Sequence, residues 1–315
     1  MPGIILQIFT QNILPLFILI ALGFLLGRLF PLDIQTLTRL NLVVFVPAFT
    51  FRNLYLTPLG SDTLAALAFA ACYLAANLLA SDLVARLLGY PLARRKAFQN
   101  AISFYNSGNV GIPLIALVFA SAPPAAAAIA TASQVMVLSL QNVATNTIGY
   151  YNASCASLPW RAAVRQAFRM PTVYAIPFAF LCKAIPADLT SLPGWPAIDI
   201  LSGGLVPIAL LTLGVQLSRT SFNLSDRSVP LASVLRLAGG PALAFLLIRL
   251  LGLSGVVAQT LFVSSSVPTG VNTALIAVDC GNEPDFASQT VLVTTLTCSV
   301  SLLLVIYLAR LLFPI

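Results

Sequence analysis

The chain of 315 residues contains no histidine, and charged side chains make up only 8% of it. Without histidine there is no Ser–His dyad and no HExxH helix, and no Gly-x-Gly-Asp aspartyl motif is present either, so an intramembrane enzyme has no support in the residues. Cys72, Cys155, Cys182, Cys280 and Cys298 are scattered without C-x-x-C spacing. They read as packing residues rather than a metal or redox centre, and no metal or cofactor is expected. Soluble domains carry about 25% charged residues. A charge content this low, with 59% hydrophobic residues and a mean hydropathy of +0.96, identifies a polytopic all-α membrane protein.

What the chain does have is long apolar runs. About 20 apolar residues cross a bilayer, and such runs fall at 5–27, 36–56, 63–88, 98–119, 124–149, 168–184, 197–217, 229–251, 255–278 and 286–311. The sequence therefore predicts ten transmembrane spans. The sixth is the weakest, shortened by Lys183 and the Pro177/Pro186 pair. The first run lacks a basic n-region and an A-x-A-like site, so it reads as a span rather than a cleavable signal. No lipidation motif and no stretch long enough for a soluble domain are seen.

The net charge of +7 reports topology. Eleven basic residues fall on one face: Arg28, Arg39, Arg86, Arg94, Arg95, Lys96, Arg161, Arg165, Arg169, Arg219 and Arg227. Four fall on the other (Arg52, Lys183, Arg249 and Arg310), and Arg236 lies within span eight. The positive-inside rule then puts both termini outside. Glu283 and Asp285 make the loop between spans nine and ten an exception, although acids weigh little in that rule. Asp82 and Arg86, four apart, are expected to pair, and Arg236, seven residues into span eight, to snorkel toward the interface, with a substrate role as the alternative.

Two spans carry a central proline, and the prolines are 155 residues apart. Pro113 lies in Asn106-Ser-Gly-Asn-Val-Gly-Ile-Pro113-Leu, and Pro268 in Ser264-Ser-Ser-Val-Pro268-Thr-Gly-Val-Asn272. Ala132-Ser133-Gln134 recurs at the same offset as Ala287-Ser288-Gln289. Proline removes a donor and crowds the carbonyl four residues earlier, which frees the carbonyls of Asn109 and Ser264. In hydrocarbon such groups are tolerated only inside protein or beside a watery cavity. The breaks predict half-helices at about 98–108 with 112–120 and 255–265 with 269–279, each proline near the first turn of the second half. Five spans per repeat is odd, so a repeat enters the membrane inverted. The expected organisation is a first repeat at 1–150, a cytoplasmic connecting loop at 151–165 and a second, inverted repeat at 166–315.

Paired broken helices mark the binding site of a carrier; a kinked helix with no ligand is the alternative. Between 98 and 119 and between 255 and 278 there is no acid and no base. The site offers two half-helix N-termini, amides from Asn106, Asn109 and Asn272, and hydroxyls from Ser264, Ser265, Ser266 and Thr269. These suit an anion, above all a carboxylate. Helix ends at roughly 0.3–2 kcal/mol each and two or three hydrogen bonds at about 1.5–3 kcal/mol each oppose several kcal/mol of desolvation. The expected affinity is micromolar to millimolar. Gln134, Gln141 and Asn142 share a face of span five, fitting either substrate contact or interhelical hydrogen bonds.

The residues around these breaks resemble the auxin efflux carrier family, which includes plant PIN-type auxin transporters and bacterial organic-acid permeases. The resemblance is carried by Asn106-Ser107…Gly111-Ile112-Pro113-Leu114, by Asn41-Leu-Val-Val-Phe45-Val-Pro47-Ala-Phe-Thr50-Phe51, by Leu213-Gly214-x-x-Leu217 and by Pro268-Thr-Gly270. It implies crossing broken helices at spans four and nine. It also implies a scaffold of spans one, two, six and seven beside a moving transport unit. Where plant members carry an Asp followed four residues later by Lys, this chain has Asp62 and Ala66. The resemblance implies a secondary carrier of small organic anions, such as carboxylates or auxin-like acids, across the plasma membrane. A sodium-coupled organic-anion symporter is the alternative. Thr50, Pro113, Pro268, Gln141 and Asn142 join the amides and hydroxyls above as candidate substrate-binding residues. The expected partners are the small organic anion, the lipid bilayer and a second copy through the scaffold, with no nucleic acid.

Overall fold

The computed structural model describes residues 6–56, 60–154, 171–219 and 226–315, and within them the chain is helical apart from turns and one isolated bridge between Tyr105 and Thr269. The helices are α1 Leu6–Leu29, α2 Ile34–Leu56, α3 Ser61–Leu87, α4 Leu92–Ser103, α5 Ser107–Val118 and α6 Pro124–Ala153. They continue as α7 Pro171–Ala184, α8 Trp195–Arg219, α9 Ser228–Leu250, α10 Gly255–Ser264, α11 Val271–Cys280 and α12 Pro284–Leu312. Seven of these (α1, α2, α3, α6, α8, α9 and α12) are long and apolar enough to cross a membrane. The shorter pairs α4/α5 and α10/α11 occupy the two broken stretches, and α7 occupies the weak sixth one. Most of the connecting loop expected at 151–165, with Cys155, Arg161 and Arg165, lies outside the described residues, as does Arg169.

The first break lies on the N-terminal side of the place its proline suggests, whereas the second contains its proline. The first falls at Phe104–Asn106, and Ser107–Gly111 is already a π-helical turn leading into the α-helix at Ile112. The wider turn lets the Asn106 carbonyl accept from both Val110 and Gly111, at 3.2 and 2.9 Å, so helix resumes before Pro113. In the second break Pro268 stands in the unwound segment itself, and helix resumes only at Val271. The elements recur at a different offset from the prolines: Gly255 follows Leu92 by 163 residues, Val271 follows Ser107 by 164 and Pro284 follows Pro124 by 160. The 155-residue coincidence is therefore out of register with the elements.

Helices α1 and α8 pack backbone to backbone. A Cβ on Gly214 would stand 2.1 Å from the Ile20 carbonyl oxygen, and one on Gly23 would stand 2.2 Å from that of Leu211. Small residues permit this approach, as usual where apolar helices gain nothing from hiding in lipid.

One end of the molecule carries an ionic cluster. Arg94 at the start of α4 bonds Asp226 and the Ser228 hydroxyl, lies 2.7 Å from Glu283 and stacks 4.7 Å from the Phe286 ring centroid. The acidic loop at 281–285 thus neutralises a base on the basic face. Arg86 pairs with Asp82 at 2.7 Å, as expected, and Arg95 joins it at 3.1 Å. Burial alone would raise the Asp226 carboxyl, but hydrogen bonds from Ser228 and Arg94 outweigh it and hold its pKa below the ordinary 3.8. A depressed carboxylate stabilises the fold above its unfolded pKa and loses that contribution as pH falls through the folded value. The melting temperature is therefore expected to drop below about pH 4, and to drop less in Asp226→Asn. Parallel melting curves for the two proteins between pH 5 and pH 3 would refute this.

Candidate functional site

The two breaks meet. Asn106 N–H donates to the Pro268 carbonyl at 2.8 Å, and Gly270 N–H donates to the Phe104 carbonyl at 2.9 Å. A Cβ on Gly270 would come within 3.3 Å of Phe104 and Tyr105 backbone atoms, closer than most side chains tolerate, so glycine eases this approach. Side-chain donors reach further backbone carbonyls around the breaks, as buried polar backbone favours. Thr269 Oγ1 donates to Ala101, Gln141 Nε2 to Ser103 and Gln134 Nε2 to Ser107, at 2.8, 3.4 and 2.9 Å.

Ile102 and Ser265, at the C-terminal ends of α4 and α10, share one donor. Arg236 donates through one guanidinium nitrogen to the Ile102 carbonyl at 2.8 Å. Through the other it donates to the Ser265 carbonyl and, at 3.0 Å, to the Tyr73 hydroxyl. Its guanidinium lies 4.7 Å from the Tyr105 ring centroid. Arg236 is fully buried, which overturns the expectation that it snorkels. The reason is local: the π-helical turn Leu235–Gly239 re-aims the side chain inward, and Gly240 leaves it room. Burying an ion costs several kcal/mol. Hydrogen bonds to it at about 1.5–3 kcal/mol each and a desolvated cation–π contact of about 2 kcal/mol offset that cost.

A polar cavity of about 50 Å³ opens where the breaks meet α2, α6 and α8. At 10–15 Å³ per water it holds roughly three to five waters, the size of a carboxylate and little more. Its wall includes Asn41 from α2, Tyr105, Asn106 and Asn109 from the first break and α5, Gln141, Asn142 and Thr145 from α6, Thr212 and Gln216 from α8, and Asn272 and Thr273 from α11. None of the lining side chains is charged. The N-terminal turns of α5 and α11 both border it. Asn106 Oδ1 accepts from Asn109 N–H at 3.2 Å, while its Nδ2 is buried without a partner. Asn41 Nδ2 donates to Asn109 Oδ1 at 2.9 Å, leaving Asn41 Oδ1 unpartnered. A second, mainly apolar cavity of about 160 Å³ shares Gln216 and Val271 with the first. A third, about 700 Å³ between α3, α6 and α7, is almost wholly apolar and offers no grip on an anion.

Of the residues singled out from sequence, Asn106, Asn109, Gln141, Asn142 and Asn272 line the polar cavity. Pro113, Ser264, Ser265, Ser266, Pro268, Thr269 and Thr50 do not. Ser265 and Ser266 donate back to their own helix at Phe262 and Val263, and Thr269 ties the breaks together. Thr50 is fully buried in α2, away from the cavity wall. Thr38, Asn41, Tyr105, Thr145, Thr212, Gln216 and Thr273 also line the polar cavity and were not singled out from sequence. Thr212 and Gln216, four apart on an otherwise apolar span, formed a legible polar stripe. Asn41 and Thr145 open π-helical turns, which often mark functional sites but leave no sequence signature.

Residues 158–306 match the family described as membrane transport protein. Over 308 residues, 93% of this chain and 96% of the relative, the sequence is 27% identical to an uncharacterized transporter of Methanothermobacter thermautotrophicus.

Proposed function

We propose that this multi-pass chain, whose residues 158–306 match the membrane transport protein family and whose broken-helix motifs resemble the auxin efflux carriers, is a secondary carrier of small organic anions. Its cargo binds in the polar cavity and crosses with a moving unit built around the two breaks. The observation that carries this reading is the unpartnered Asn106 Nδ2 at a cavity bordered by two half-helix N-termini. Helix N-termini and neutral amides favour a carboxylate without a fixed charge at the wall. The adjoining apolar cavity suits a hydrocarbon body behind that carboxylate.

The moving unit comprises α3–α6 and α9–α12, against a scaffold of α1, α2, α7 and α8. Support comes from the close α1–α8 packing and from the polar cavity's lining, which draws Asn41, Thr212 and Gln216 from the scaffold side. The halves 1–150 and 166–315 act as inverted five-span repeats; the recurrence of elements at 160–164 residues supports this. Thermal-shift titration of the purified protein with mono- and dicarboxylates, then vesicle counterflow of any hit, tests the function. No stabilisation by any carboxylate would sink it. Dependence of uptake on sodium would favour the symporter reading instead.

Both termini are proposed to face outward in the plasma membrane, with Arg94–Lys96 cytoplasmic, from the excess of basic residues on one face. In a variant stripped of native cysteines, a cysteine beside Arg94 should resist an impermeant reagent in intact cells. Its rapid labelling would invert the topology.

A further inference from the structure

Arg236 is the one charged side chain in the buried set of the described residues. Its hydrogen-bond partners are a hydroxyl and two carbonyls, none of them an acid. Those partners lie on α3, α4 and the end of α10. Its ring contacts, Tyr73 and Tyr105, lie on α3 and the first break. None of these contacts is to α1, α2 or α8. The guanidinium is therefore anchored within the pieces that meet at the breaks, behind the Tyr105 ring that walls the cavity.

The C-terminal ends of α4 and α10 stabilise this cation without neutralising it. A helix dipole translated through a uniform field does no net work, because its two ends contribute equally and oppositely; a net charge does work in proportion to the distance moved. The unit's other basic side chains, among them Arg94, Arg95, Arg249 and Arg310, stand near helix ends. Resting on the carrier reading above, we propose that Arg236 gives the moving unit a fixed charge of about +1. A monoanion then crosses as a neutral complex, and the empty unit returns as a cation. Arg236 in this role is a positioning residue that acts through the field at the cavity and does not touch the substrate.

The proposal assigns voltage dependence step by step. Exchange of a monoanion at saturation on both sides uses only the neutral loaded step and should ignore the membrane potential. Net flux includes the return of the empty cation and should respond to it. A dianion leaves the loaded unit at −1, so its exchange should be voltage-sensitive. A full charge crossing the whole field shifts an equilibrium about fiftyfold per 100 mV. Crossing half the field with a midway barrier changes a rate roughly threefold.

The experiment uses vesicles clamped with potassium and valinomycin, with labelled benzoate as the monoanion and malonate at pH 7.5 as the dianion. In the unmodified protein, benzoate exchange should be flat with voltage, while net benzoate flux and malonate exchange change about threefold per 100 mV. In Arg236→Gln, benzoate exchange should become voltage-sensitive and net flux should lose the sensitivity of its return step. Arg236→Lys should behave as the unmodified protein does. If Arg236→Gln fails to fold, the benzoate–malonate contrast in the unmodified protein decides alone. Voltage-sensitive benzoate exchange, or an Arg236→Gln protein with the original pattern, overturns the charge assignment and leaves the carrier intact. Absence of counterflow for both anions removes the carrier reading, and the charge assignment falls with it.

Discussion

An Asn106→Asp protein is expected to fold and melt much like the unmodified one while losing at least tenfold in affinity for carboxylates. The two atoms of this side chain have separate duties. Oδ1 accepts from Asn109 N–H and caps the first turn of α5, whereas Nδ2 is buried without a partner at the cavity wall. Aspartate keeps the first duty, and its charge suits a helix N-terminus. It cannot perform the second, because a carboxylate offers a substrate anion no donor and repels it. The hydrogen bond alone is worth about 1.5–3 kcal/mol, or roughly 10- to 150-fold in affinity, before like-charge repulsion is added. Asn106→Ala should lose the same bond and also the cap, at about 1 kcal/mol of stability. The pair of variants thus separates binding from folding, by titrating a stabilising carboxylate against each purified protein. Undiminished affinity in Asn106→Asp would remove Asn106 from the site.

The largest effect on stability is expected at Gly214. Its added Cβ would lie 2.1 Å from the Ile20 carbonyl oxygen and 2.6 Å from the Phe24 amide, both backbone atoms of α1. No rotamer relieves a clash with backbone, so the helices themselves must separate. Overpacking ordinarily costs about 1–3 kcal/mol; Gly214→Leu is expected at or beyond the upper end, with a large fall in melting temperature and loss of monodisperse protein in detergent. Gly203 lies on the same helix, and a Cβ added there would meet nothing within 4 Å. Gly203→Leu should therefore stay within about 0.5 kcal/mol of the original. Equal melting temperatures for the two leucine variants would show that α1 and α8 do not depend on this contact.

Much of the architecture was legible without coordinates. Apolar runs with few charges located the helices, since a helix in lipid must be apolar over nearly its whole length. The prolines identified the two interrupted stretches, and Asn106, Asn109 and Asn272 stood out as amides in them. Less was legible about where each break falls. A proline constrains its own φ, the residue before it and the carbonyl four residues earlier, all of them local. Where helix resumes was set by the π turn at Ser107–Gly111 in one stretch and by pairing of Thr269 with Tyr105 in the other. The serines at 264–266 looked like ligands because of their chemistry, yet Ser265 and Ser266 spend their hydroxyls on their own helix.

By itself the sequence determined that the chain is a polytopic helical membrane protein, with two interrupted helices and an uncharged polar middle. Composition and spacing are local properties, and lipid imposes the same demand on every span. Only the tertiary structure decided which polar groups meet. Asn41, Thr212 and Gln216 reach the cavity from helices distant in sequence. Arg236, read along the chain as one base in an apolar span, proves to join the ends of two half-helices. Its role depends on carbonyls 134 residues before it and 29 after it, and no local pattern records which backbone groups a fold leaves waiting for a donor.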